Sequence, residues 1–326
     1  MESKFSKIVA AVASLLVCAP LLFAQDANQD NEEETQGVQT IAADPGVVIA
    51  ICLESGNIVV VGSDSHEVRV ITEDPTRMTL RTAHGAIPAV PAMRLEVVVS
   101  NLSKATHLEV SECQGTGDVD LEVPRGATIY VKTQDGDIEV SDVAEVRAET
   151  SIGSIGLMRI ARAVEASTVS GDVSLEDSNG RIRLRSISGS LEAVRARGVE
   201  PGDFLIAKTI NGDLSLEQIA QRRVEASTIS GDISFSGPLV PGGFYDFKTT
   251  NGDVTLVMPD SVSFQVTAKV SQGGEVSTDF PLKYAGGKPT RDAMSSGRLA
   301  GSYGTGTALA TLNLVSFSGT LRLRKK

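Results

Sequence analysis

From about residue 46 onward, apolar and polar residues alternate in short runs, and each run is opened by a glycine. The segments read GNIVVVG at Gly56, GDVDLEV at Gly117, GDIEVSD at Gly136, GSIGLMR at Gly153 and GDVSLED at Gly171. They continue as GSLEAVR at Gly189, GDLSLEQ at Gly212, GDISFSG at Gly231, GDVTLVM at Gly252 and GTLRLRK at Gly319. Apolar residues fall two and four positions after the glycine, as in Val119 and Leu121 or Ile233 and Phe235. A spacing of two is the period of a strand with one buried face. Seven and five positions before the glycine a second apolar pair recurs, as in Val164 and Ala166, Leu205 and Ala207, or Tyr245 and Phe247. Thr or Ser usually stands three before it, at Thr133, Thr150, Thr168, Ser186, Thr209, Thr228 and Thr249. The pattern predicts a unit of strand, tight turn at Ser/Asn/Asp-Gly, strand, and a second, looser connection.

Between Gly117 and Gly252 the units repeat at 19, 17, 18, 18, 23, 19 and 21 residues. A period near 20 with strands in each unit predicts an all-β solenoid of about eleven two-strand rungs. A flat meander of hairpins is the alternative, but it needs a covering layer that no helical stretch supplies. Each unit also has too few inward residues for a core of its own and enough for a stacked column. At the strand spacing of ~4.8 Å, eleven rungs make a rod on the order of 50 Å long. Two stretches interrupt the pattern and are expected to be loop excursions: Pro75 to Pro91, and Lys283 to Gly306.

Composition fits this reading. The 31 Gly punctuate turns, and 4% aromatic content without Trp suits thin layers of aliphatics. The formal net charge of −11 argues against nucleic acid or an anionic membrane surface as partner. Lys4 and Lys7 precede an apolar run from Ile8 to Ala24, and Gln25 follows, so residues 1–24 are expected to be a secretory signal peptide. An uncleaved anchor is the alternative. Val17 before Cys18, with apolar sequence continuing beyond, excludes a lipoprotein site. Cleavage removes Glu2, Lys4 and Lys7 and takes the net charge from −11 to −12. Residues 25–44, built around QDANQDNEEETQ, are expected to be a disordered acidic linker, and 45–326 the solenoid. No other apolar segment reaches bilayer-spanning length, so no integral span is expected after cleavage.

The units VEASTVSGDVSL at Val164 and VEASTISGDISF at Val224 resemble those of the DUF4097 family, bacterial β-strand-repeat proteins labelled as adhesins. The opening ESGNIVVVGSDSHEVRVIT, the middle VPRGATIYVKTQDGDIEV and the closing AGSYGTGTALATLNLVSFSGTLRLRK are similar to that family's opening, middle and end. The likeness runs from about Pro45 to Lys326. It implies an envelope-associated β-solenoid and brings no catalytic residues.

Candidate chemistry is sparse. Asp follows the turn glycine at Asp118, Asp137, Asp172, Asp213, Asp232 and Asp253. Stacking would align these carboxylates in a ladder, which could attract Ca²⁺ or simply stabilise each turn locally. Ser154, Ser190 and Thr320 interrupt the series, which favours the turn role. Carboxylate pairs at glycosidase spacing would be many and none distinctive. His66, His84 and His107 share no ligand spacing, and GSYGTGT at Gly301 lacks the Lys-Ser/Thr of a phosphate loop. No motif asks for a cofactor or metal. Cys52 and Cys113 both lie four residues before a turn glycine, so adjacent rungs would bring them within disulfide range; two free thiols are the alternative. The expectation is an exported, non-enzymatic envelope solenoid, an adhesin or scaffold, binding an unidentified protein or glycan of the cell envelope, in the periplasm, envelope or outside the cell. The alternative is a polysaccharide-active enzyme on the same scaffold, which scarce aromatic platforms disfavour.

Overall fold

The computed structural model describes residues 37–72, 78–82, 92–99, 113, 115–284, 297–306 and 308–326. It is an all-β solenoid, and no helix occurs among the described residues. None is therefore long and apolar enough to cross a membrane. The segment expected to be a signal peptide lies outside the described residues.

Two parallel sheets form the long walls of the rod. Along the axis the first runs β3 (Glu67–Thr72), β6 (Val119–Pro124), β2 (Ile58–Ser63), β8 (Ile138–Ser141), β10 (Ile155–Met158) and β12 (Val173–Glu176). It continues with β14 (Leu191–Val194), β16 (Leu214–Glu217), β18 (Ile233–Ser236), β20 (Val254–Met258), β25 (Leu321–Lys325) and β22 (Val276–Thr278). The second runs β4 (Met78–Thr82), β5 (Ala92–Val99), β1 (Gly37–Ser55), β7 (Thr128–Asp135), β9 (Glu145–Ile152) and β11 (Ala163–Ser170). It continues with β13 (Arg181–Arg185), β15 (Leu205–Lys208), β17 (Arg223–Ser227), β19 (Phe244–Asn251), β24 (Ala310–Ser318), β21 (Phe264–Gln272) and β23 (Arg298–Tyr303). Within the strands every second residue points inward. The two inner faces meet in one apolar column that runs from Ile41 to Leu323.

In the middle of the rod the packing alternates sizes. Ala148, Ala166, Ala207 and Ala226 of the second sheet are matched by Leu157, Leu175 and Leu216 in the first, and at the rung between them the sizes swap, with Leu184 in the second sheet and Ala193 in the first. Toward the C-terminal end this changes. Phe235 packs on Tyr245 and Phe247 at ring separations of 5.8 and 5.4 Å, and Phe264, Phe280 and Tyr303 form a second aromatic cluster. The buried aromatics are thus concentrated at one end of the column.

Three findings extend or correct the expectations. The rungs do not stack in chain order: the β1/β2 rung lies inside the β5/β6 rung, and the C-terminal β24/β25 rung lies inside β21/β22. Chain-terminal rungs are thereby covered on both faces. Second, the two excursions are not simply loops. Each contributes an antiparallel strand, β4 against β5 and β23 against β21, which closes an edge of the second sheet. Open edges are templates for aggregation, and short antiparallel caps blunt them. Third, residues 37–44 are not linker. Gly37–Ala42 pair antiparallel with Thr72–Glu67 of β3, burying Ile41 and Ala43. The alternation in GVQTIAA was masked by the acidic residues just before it.

Candidate functional surface: the stacked columns

Because the rungs are in register, each position of the repeat becomes a column along the rod. The turn glycines stack in the order 117, 56, 136, 153, 171, 189, 212, 231, 252, 319, with Gly274 after Gly319. A Cβ on Gly171 would lie 2.0 Å from the carbonyl oxygen of Gly153, and the same approach recurs down the column. Positive φ, +152° at Gly171, adds a second reason for glycine.

Three residues upstream, the Thr/Ser column is buried and explains itself through hydrogen bonds. Thr150, Thr168, Ser186, Thr209 and Thr249 each donate to the turn-glycine carbonyl of the adjacent rung, at 2.9 to 3.1 Å. These hydroxyls satisfy the carbonyls that would otherwise be stranded where the backbone turns.

The Asp column does a complementary task, which reaches beyond the local turn expected from the sequence. Asp118 Oδ1 accepts the Asn57 amide at 2.8 Å, Asn57 Oδ1 accepts that of Asp137 at 2.9 Å, and Asp137 Oδ1 accepts that of Ser154 at 2.7 Å. The chain of acceptors continues through Asp172 to Ser190, Asp213 to Asp232, Asp232 to Asp253 and Asp253 to Thr320. Each side chain thus holds the backbone of the next rung, and Asn57, Ser154 and Ser190 fit because any short oxygen acceptor serves. At the end of the column burial works against Asp253, but the hydrogen bonds from Arg322 and the Thr320 amide prevail and hold its carboxyl below the usual range. Among the described residues no three His, Cys, Asp or Glu side chains cluster closely enough for a metal ion. Asp232→Asn is therefore expected to leave the melting temperature unchanged or raise it. Asp232→Ala strands the Asp253 amide and is expected to cost about 1 kcal/mol, as read by denaturant melting. A chelator that lowered the melting temperature would instead restore the calcium reading.

A fourth column was missed in the sequence. Six residues after the turn glycine the chain turns again, at Asp142, Arg159, Asp177, Arg195 and Gln218, all with φ between 50° and 60°. The signs alternate, so Arg159 pairs with Asp142 at 2.5 Å and Arg195 with Asp177 at 2.5 Å, while Arg125 bridges Asp142 and Asp64. The alternation is visible at a fixed offset from each glycine once the second turn is known to be tight. The hydrogen bond from Arg159 holds Asp142 below the ordinary value of 3.8, and that from Arg195 does the same for Asp177. A depressed folded value means stability that is present above the unfolded pKa and lost as pH falls through the folded one. The melting-temperature gap between the wild type and Asp142→Asn is thus expected to be constant near neutrality and to close in acid below the ordinary value of 3.8.

Cys52 and Cys113 are brought together at disulfide distance, with Cα atoms 4.9 Å apart on adjacent rungs whose turn glycines are Gly56 and Gly117. The remaining candidates do not converge. His66 lies with Asp44 and Glu67 in a shallow, open depression at the N-terminal end, where Asp44 already accepts the Gly46 amide. His84 and His107 lie outside the described residues. Gly301 is part of β23, an edge strand rather than a phosphate loop.

The Toastrack DUF4097 family model matches residues 49–323. No curated protein matches the sequence. Similar solved structures include a putative lipid binding protein from Parabacteroides distasonis, 10% identical over 89% of this chain and 97% of that one, with a TM-score of 0.46. A putative adhesin from Bacteroides fragilis is 10% identical over 90% of this chain and 98% of that one, with a TM-score of 0.39. The repeat, the registered β-solenoid and the match over most of the chain agree: this protein belongs to the Toastrack DUF4097 family.

Proposed function

We propose that this protein is an exported, non-enzymatic β-solenoid of the cell envelope that binds another macromolecule, protein or glycan, along its outer surface. The observation that carries the reading is an apolar ridge. Two residues before the turn glycine, the outward positions of successive rungs are Val169, Ile187, Ile210, Ile229 and Phe317, which are 41 to 49% exposed. Thr250 completes the row between Ile229 and Phe317. A contiguous row of water-facing β-branched and aromatic side chains on a regular scaffold is what a macromolecular contact surface requires. Lys4, Lys7 and the Ile8–Ala24 run support export.

The test pairs a glycan array with pull-down from envelope fractions, comparing the mature chain with Ile187→Glu/Ile210→Glu. Loss of a captured partner with an unchanged melting curve supports the reading. Turnover of any polysaccharide by the purified chain overturns it in favour of an enzyme. N-terminal sequencing of the exported protein is expected to begin at Gln25.

A further inference from the structure

The chain is acidic overall, yet cations gather on one part of the second sheet's outer face. Alternate residues of β13, Arg181, Arg183 and Arg185, all point outward. Across the parallel pair, Arg185 stands in register with Lys208 of β15. Among the described residues Arg181, Arg185 and Lys208 have no carboxylate within ion-pair distance, whereas Arg183 reaches Glu165 at 3.7 Å and Arg223 pairs with Glu225. Like charges directly opposite on paired strands destabilise a sheet. In the second turn the alternating Asp and Arg compensate one another, and on this face Arg183 and Arg223 have carboxylate partners that Arg185 and Lys208 lack. An uncompensated pair in its middle therefore points outward, to a ligand that supplies the missing negative charge.

The surroundings narrow the chemistry. Phe204 precedes β15 and lies beneath the Arg183 guanidinium, 5.6 Å from it to the ring centroid. Phe244, also outward, stands in register with Arg223 on the next rung pair. Flat rings between cations offer the apolar face of a sugar a platform, and the cations offer bonds to its substituents. The face has the strict repeat of the solenoid, with neighbouring cations ~4.8 Å apart along the axis and ~7 Å apart along a strand. A linear polymer with repeated charges can match that lattice without a pocket. The outer face of the first sheet carries Glu139, Glu176, Glu192 and Glu217 instead. That acidity and a net charge of −11 oppose the dense charge of nucleic acid.

We infer that Arg181, Arg183, Arg185, Phe204 and Lys208 form a binding face for an acidic polysaccharide, one that carries carboxylate or sulfate groups on its sugar rings. The inference rests on the binding role proposed above and narrows it to one partner class.

Binding of the mature chain to polygalacturonate, dextran sulfate and neutral dextran tests it, with an acidic peptide and single-stranded DNA as competitors. Expected are binding to one or both acidic polysaccharides, none to neutral dextran, and weakening of tenfold or more from 50 to 500 mM salt. Arg185→Gln/Lys208→Gln is expected to lose tenfold or more in affinity while its melting temperature, without ligand, stays level or rises. A fall in that melting temperature would show that the pair is structural and would overturn the inference. So would undiminished binding by the variant, tight binding of the competitors, or no binding to either acidic polysaccharide. If acidic polysaccharides fail while a neutral glycan or a protein binds through the Ile187–Ile210 ridge, only this inference falls. If polysaccharide is cleaved, the binding role itself falls.

Discussion

Gly171→Ala is expected to destabilise the rod far more than Gly117→Ala, although both glycines have strongly positive φ, +152° and +124°. The difference lies in what a Cβ would meet. At Gly117, the end of the column, nothing lies within 4 Å. That substitution pays only for backbone strain, about 1–2 kcal/mol. At Gly171 the methyl would sit 2.0 Å from the Gly153 oxygen and 2.5 Å from its carbonyl carbon, and backbone cannot swing aside as a side chain can. The two rungs must part. Parting stretches the bonds that span them: Gly153 N to the Ser170 oxygen at 2.9 Å, Ile155 N to the Asp172 oxygen at 2.9 Å, and Thr168 to the Gly153 oxygen at 3.0 Å. With strain included, a loss on the order of 4 kcal/mol is expected. Chemical denaturation of both variants measures it, and equal losses would mean that close stacking does not dictate these glycines.

How much of this was legible in the sequence depends on the physical source of each signal. Period-two alternation comes from burial of one strand face, so the strands and the apolar column were readable from single residues such as Val164 and Ala166. The tight turn was readable because glycine marks positive φ. The order of the rungs was not. Gly56 and Gly117 carry the same local pattern whether their rungs stack as first and second or are interchanged; edge protection decides, and that is a property of the finished rod. The Thr and Asp columns were visible as residues, but not their task, because each bond reaches a neighbouring rung 14 to 23 residues away in the regular repeats. Local chemistry suggested turn-stabilising aspartates; stacking made them acceptors for the next rung. The second turn escaped notice for the opposite reason. Its left-handed residues are Asp, Arg and Gln rather than Gly, so composition gave no punctuation there. The basic face depends on which of many arginines lacks a partner, and that is decided only by register.

Removing the disulfide, by Cys52→Ser/Cys113→Ser or by reduction, is expected to have the other large effect, and to act at one end of the rod. Beside Cys113, Gly117 donates to the Ser55 oxygen at 2.9 Å and Glu54 donates to the Gly115 oxygen at 2.9 Å, tying this segment to the end of β1. The bond closes a loop with a sequence separation of 61 residues. A loop of that size loses enough unfolded-state entropy to contribute about 4 kcal/mol. In a stacked array each rung is held mainly by its neighbours, so the outermost one opens first. The β5 and β6 strands form that rung; β1 and β2 hold it to the rod, and only the short antiparallel strands β4 and β3 lie outside it. Without the bond, amide exchange in β5 and β6 is expected to rise well before exchange in β11 to β17, and limited proteolysis to cut first between Thr72 and Val119. Mass spectrometry of the non-reduced protein provides the direct check. Two alkylatable thiols would show that the pair is not bonded in the protein as made, and uniform exchange across the rod after reduction would show that it does not anchor the end.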